Sequence, residues 1–156
     1  RDMTDNFERL KAHILPLSHA TTFADARTEW KLEFVEVSEE FDSCPCGQDI
    51  KEHCYIRNRL TGHQTYVGNV CVNRFIGLDT GTLFDGLKRL KADPKANANL
   101  AVIEYAEERG YLHDQEPQFL RRTVRTRILS AKQAAWKEKI NRRILNQIVV
   151  ERRSLR

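Results

Sequence analysis

All four cysteines of the chain fall within residues 44–75, at Cys44, Cys46, Cys54 and Cys71. The spacing is C-x-C-G, then six residues, a cysteine, sixteen residues and the last cysteine. Such a cluster is either two disulfides or one metal site. Cys44 and Cys46 are too close in sequence to bridge each other easily, given the geometry a disulfide needs. Nothing at the N-terminus resembles a secretory signal, so a reducing, cytoplasmic compartment is expected, where paired disulfides do not persist. Tetrahedral Zn²⁺ takes four thiolates, or three and a histidine, and tolerates variable ligand spacing. The cluster therefore reads as a structural zinc site with Cys44, Cys46, Cys54 and Cys71 as ligands. His53 is the rival to Cys54. Neighbours on a strand point to opposite faces, so only one of the two can ligate, and Cys54 completes the set of four. His63 reads as an exposed turn residue.

The surroundings suit a small zinc-built module. Pro45 and Gly47 make a tight loop whose backbone N–H groups can turn toward sulfur. Residues 54–60 alternate and carry strand formers, Thr61-Gly62 signals a turn, and residues 64–67 read as a return strand. Gly68-Asn69 breaks that strand, and residues 70–75 look like the start of a helix. Knuckle, hairpin and a cysteine at a helix N-terminus is the order of a treble-clef finger, and the helix dipole favours a thiolate there. Treble-clef knuckles usually read C-x-x-C, however, and this one reads C-x-C.

Residues Cys44, Cys46, Gly47, Cys54, Tyr55, Ile56, Asn58, Arg59, Gly62, Val67, Gly68, Cys71, Val72, Arg74 and Phe75 make a pattern C-x-C-G…C-Y-I-x-N-R-x-x-G…V-G-x-x-C-V-x-R-F. This resembles a module of uncharacterised bacterial and phage zinc-binding proteins. The resemblance extends to a helical tail with an L-S-x-K-Q signature at Leu129-Ser130-Ala131-Lys132-Gln133. It implies a zinc-binding protein of microbial or mobile-element origin, and no activity.

Upstream, Thr4-Asp5 can cap a helix carrying Phe7, Leu10, Ile14 and Leu15, which Pro16 ends. Residues 30–37 alternate with strand period, with Trp30, Leu32 and Phe34 on one side and Lys31, Glu33 and Val35 on the other. The acidic exit from this strand, Glu36, Glu39, Glu40 and Asp42, reads as a solvated loop. Downstream, Asp79-Thr80 caps a helix with Leu83, Phe84, Leu87 and Leu90, ending at Pro94. A second helix covers about residues 97–109, with Gly110 as its stop. A third lies around residues 116–127. Ser130 caps the longest, about residues 131–153, whose apolar stripe is Ala135/Trp136, Ile140, Ile144 and Ile148, widened by Leu145 and Val149.

The expected fold is α+β: a small antiparallel sheet with a treble-clef-like zinc hairpin, then about four helices, the last long and basic. The expected division is residues 1–76, with helix, strand and zinc module, and residues 77–156, helical and basic, packed as one compact unit. With 40% hydrophobic and 31% charged residues and no apolar run near the length of a membrane span, no membrane partner is expected.

Charge is distributed unevenly. Residues 118–156 hold twelve Lys/Arg and two Asp/Glu, while residues 1–117 hold fourteen and twenty. A basic half of this kind suits a polyanion. The expected function is non-catalytic nucleic-acid binding through the phosphate backbone, with contacts from Arg57, Arg59, Arg74, Arg121, Arg122, Arg125, Lys132, Lys139, Arg142 and Arg143. Tyr55 and Tyr66 beside Arg57 and Arg59 also suit stacking on single-stranded or distorted nucleic acid, or else form a cross-strand pair that steadies the hairpin. The alternative is a protein–protein adaptor or inhibitor binding an acidic host protein, with the long helix as its interface or as a homodimer seam. A catalytic zinc is disfavoured: four thiolates close the coordination sphere, and H-x-E with P-C-x-x-C, H-E-x-x-H and a phosphate-binding glycine loop are all absent.

Overall fold

A computed structural model describes residues 3–150. The chain divides into two compact units, Arg1–Gly81 and Thr82–Arg156, against an expected boundary at 76/77. The architecture is α+β, with one three-stranded antiparallel sheet and seven α-helices among the described residues. No helix among them is long and apolar enough to cross a membrane.

The first unit opens with α1 (Met3–Ile14) and a 3-10 turn at Leu15–Leu17, where Pro16 stops the helix as expected. A short α2 (Phe23–Ala26) and a second 3-10 turn (Arg27–Glu29) lead into β1 (Trp30–Ser43). β1 pairs with β2 (Asp49–Asn58), and β2 pairs with β3 (Gln64–Gly68). α3 (Asn69–Ile76) follows directly and ends on Gly77, whose left-handed backbone suits a residue without Cβ.

Two irregularities in β1 correct the sequence reading. The register runs Leu32↔Ile56 and then Phe34↔Tyr55, so Glu33 is an extra residue. This bulge reverses the alternation. Trp30 and Val35 end up buried, and Phe34 is half-exposed beside Tyr55 and Tyr66. Farther on, the strand does not give way to a loop after Val37. It continues to Ser43, with residues 38–41 of β1 set against Lys51 alone. Tyr55 and Tyr66 are register partners, and Phe34 stacks on Tyr55 at 4.4 Å between ring centroids. The cross-strand reading of the tyrosine pair is therefore the geometry observed.

Glu29, which the sequence reading passed over, is buried and holds the unit's loops together. Its carboxylate accepts from the backbone N–H of His19 and of Ala20, and from Asn58 Nδ2, at 2.8, 2.8 and 2.9 Å. Asn58 Oδ1 in turn accepts from the N–H of Leu60 and of Thr61, so one buried asparagine shapes the hairpin turn.

The second unit contains α4 (Gly81–Ala92, entered at its first residue), α5 (Leu100–Arg109), α6 (Glu116–Arg122) and α7 (Ala131–Leu145). Asn99 caps α5 through the Val102 N–H, and Gly110 terminates it. Ser130 caps α7 in a full capping box with Gln133, as the sequence suggests. α7 stops at Leu145, short of the 153 expected, and residues 151–156 lie outside the described residues. Its buried face is Lys137, Ile140, Asn141 and Ile144 rather than a purely apolar stripe. Ile140 and Ile144 are spent in the core of the unit, while Trp136, Ile148 and Val149 of the expected stripe stay exposed.

Helices α4 and α5 approach closely at Gly86. A Cβ there would stand 2.5 Å from Val102 Cγ2 and 2.5 Å from Asn99 Nδ2. Gly86→Ala gains helix propensity yet overpacks this contact, so the variant is expected to lose about 1–3 kcal/mol in a denaturant melt.

Candidate metal centre

The site is assembled from a loop and a helix of the first unit. Cys44 and Cys46 lie in the loop between β1 and β2, and Cys71 lies in the first turn of α3. The Gly47 N–H donates to the Cys44 carbonyl at 2.8 Å, and the Cys44 N–H donates to the Gln48 carbonyl at 2.8 Å. This tight loop, with Gly47 at φ 100°, turns both of its sulfurs the same way.

The sulfurs of Cys44, Cys46 and Cys71 lie within 4.8 Å of one another, and all three residues are buried. Cys44 Sγ and Cys71 Sγ are 3.7 Å apart and share a hydrogen bond. Two thiolates on a tetrahedral zinc with Zn–S near 2.3 Å would stand about 3.8 Å apart, so this pair already has the separation a metal requires. All four cysteines are free thiols. The group fits a metal ion, and its sulfur-only donor set suits a soft one.

Cys54 is separate. Its side chain is fully buried on the inner face of the sheet, where its sulfur lies 4.0 Å from Thr80 Oγ1, and it does not join the three-sulfur group. His53, the rival ligand, points to the opposite face as the strand alternation requires. Its Nε2 is 3.3 Å from Asp42 Oδ2 and its Nδ1 is 3.3 Å from the Lys51 carbonyl, so both ring nitrogens have partners away from the cysteines. Among the described residues, no histidine or carboxylate belongs to the group.

The electrostatics single out Cys44 as the seat of negative charge. Its thiol is lowered to about 6, first by the hydrogen bond with Cys71, against the opposing effect of burial, and further by the N–H groups of Cys46 and Gly68. Cys71 is pushed up by sharing that bond with Cys44, and Cys46 is pushed up by burial. Burial raises Cys54 to about 12. Without a cation one thiolate is tolerated and the others are held as thiols. A divalent ion is what allows several to ionise together.

Gly68, which the sequence marks as the break between strand and helix, also touches the sulfur group. Its N–H donates to Cys44 Sγ at 3.3 Å. A Cβ on it would stand 2.9 Å from Ile50 Cγ2. The missing side chain leaves room for Ile50 beside the end of β3. The signal in the sequence is the Val67-Gly68 step immediately before the helix.

The proposed nucleic-acid residues are not equally available. Arg57 is paired with Glu33 at 2.6 Å and also donates to the Gly62 carbonyl. Arg59 Nε donates to the Thr28 carbonyl at 3.4 Å. Arg74 lies over the Phe7 ring. Arg121 pairs with Glu107, and Arg142 with Glu138. Arg143, expected to face outward, is only 10% exposed in its side chain and forms a buried two-toothed pair with Glu116. Arg122, Arg125, Lys132 and Lys139 remain exposed, with Arg122 leaning on Phe119.

No protein-family model matches the chain, and no curated protein or solved structure is significantly similar to it.

Proposed function

We propose that this protein is a non-catalytic nucleic-acid-binding module whose first unit is folded around one zinc ion and whose second unit holds phosphates. Zinc is the metal that three buried thiolates in a reducing compartment select, and loop, hairpin and α3 give it a treble-clef-like seat. Among the described residues the group holds sulfur alone, with no carboxylate or imidazole in it, and a soft, all-thiolate set of this kind supports a structural ion.

The observation that carries the binding reading is the surface of residues 118–150. Arg122, Arg125, Arg127, Lys132 and Lys139 are all exposed there. The single carboxylate of that stretch, Glu138, is already engaged by Arg142. A solvated face normally mixes its signs; this one has no free acid to offset its cations. Each phosphate contacted releases counterion, so about five contacts give a log–log salt slope of roughly −4.

Affinity for a short oligonucleotide is therefore expected to fall by about two orders of magnitude between 50 and 200 mM salt. Replacing both Lys132 and Lys139 with Ala should reduce the slope by about two. A salt-independent response, or tighter binding to polyglutamate than to the oligonucleotide, would contradict the reading and favour an acidic protein partner.

A further inference from the structure

The segment between α6 and α7, residues 123–130, is a loop anchored at both ends, with Thr123 buried and Arg125, Arg127 and Ile128 exposed. Thr123 Oγ1 donates to the Phe119 carbonyl at 2.7 Å, and the Thr126 N–H donates to the Thr123 carbonyl at 3.1 Å. Asn97 Nδ2 donates to the Thr126 carbonyl at 2.9 Å. Lys137 donates to the Thr123 carbonyl at 3.1 Å and to Asn97 Oδ1. At the other end, Ser130 and Gln133 close the capping box.

Lys137 is the unusual member of this arrangement. It is fully buried, its Nζ donates to two neutral oxygens and lies over the Phe119 ring, and among the described residues no carboxylate pairs with it. Burying an ammonium among neutral groups is costly. The loop conformation is thus maintained at an expense that a plain connector would not need.

This rigid loop presents Ile128, which is 90% exposed, more than any other large apolar residue described. Arg127 adjoins it, Arg125 lies two residues further back, and both are exposed. Isolated apolar residues are common on surfaces. One on an anchored loop beside exposed cations is a different feature, because it joins an apolar tooth to the charges that bring it against a polyanion.

We infer that Ile128 is a wedge that enters an unstacked base step while Arg125 and Arg127 hold the flanking phosphates. The inference rests on the nucleic-acid reading and narrows it to kinked, bulged or otherwise opened duplex. Apolar side chains used in this way must part the bases, and a site whose bases are already parted spares that cost. Rigidity is what the role requires, since a mobile loop would fold the isoleucine back rather than insert it.

The test compares the full chain with its Ile128→Ser variant on two duplexes of equal length, one intact and one with a central two-nucleotide bulge. The parent is expected to prefer the bulge by about tenfold. The variant, whose substitution touches no packed group, should melt at the parent's temperature and bind both duplexes equally, with the parent's salt slope retained. A variant that keeps the tenfold preference, or a parent that shows none, overturns the wedge while leaving phosphate binding intact. A parent that binds neither duplex but adheres to anionic phosphatidylserine vesicles, with that adhesion lost on Ile128→Ser, overturns the functional reading and the wedge together.

Discussion

Cys44→Ser and Cys71→Ser should each abolish stoichiometric metal binding and unfold the first unit. The two sulfurs are 3.7 Å apart in the loop and in α3, so either change removes one edge of the coordination polyhedron. Apparent binding energies of structural zinc are about 10–16 kcal/mol, as large as the whole stability of a small domain, about 5–15 kcal/mol. The loss should therefore be complete rather than graded. Metal analysis should show no bound ion, and circular dichroism should show strand content lost at a temperature where the parent is folded. Cys54→Ser is the control: its sulfur lies outside the group, so this variant should retain the ion. Release of metal from Cys54→Ser would restore the four-cysteine set read from the sequence.

The second large effect belongs to the other unit. Glu116→Ala would strand the Arg143 guanidinium in the interior, along with the His113 N–H and the Trp136 Nε1–H that the same carboxylate accepts at 2.8 and 3.1 Å. Removing one partner of a buried ion pair costs about 3–5 kcal/mol. The variant should lose that amount in a denaturant melt. The pair also sets a pH dependence. Burial pushes the Glu116 carboxyl up, but the bonds from Arg143, His113 and Trp136 outweigh it and hold the group below its ordinary range. A carboxyl lowered in the folded state contributes stability that is present above its unfolded value, near 4.5, and is lost as pH falls through the folded one. Acid should therefore destabilise the parent more steeply than Glu116→Ala, and the two stability curves should converge as pH falls from about 4.5 through the lowered folded value. Parallel curves would show that Glu116 is not the titrating group.

What could be read in advance follows from what is local. The α+β class, the loop–hairpin–helix order around the cysteines, the Ser130 cap and the Gly110 stop depend on residues within a few positions of one another, and each is legible in the chain. The bulge at Glu33 is not, because Trp30 to Val37 alternates well on paper. Only pairing with β2 shows that Phe34 and Val35 exchange sides. The interior of the second unit was hidden for a related reason. Lys137, Asn141 and Arg143 look like surface residues of an amphipathic helix, and their partners Asn97, the Pro94 and Ala96 carbonyls and Glu116 lie 27–47 residues away. Charge counting alone assigned Arg143 to a ligand when an internal carboxylate had already taken it. The same limit applies to Cys54: spacing places four sulfurs in one window, and only strand packing shows that one of them faces Thr80.

X-ray absorption at the metal edge of the purified full chain tests the central claim most directly, because it reads donor type and distance around the ion itself. The account predicts one zinc per chain with a shell of three sulfurs at about 2.3 Å. A shell of nitrogen and oxygen alone, or protein that is folded and free of metal, would contradict it.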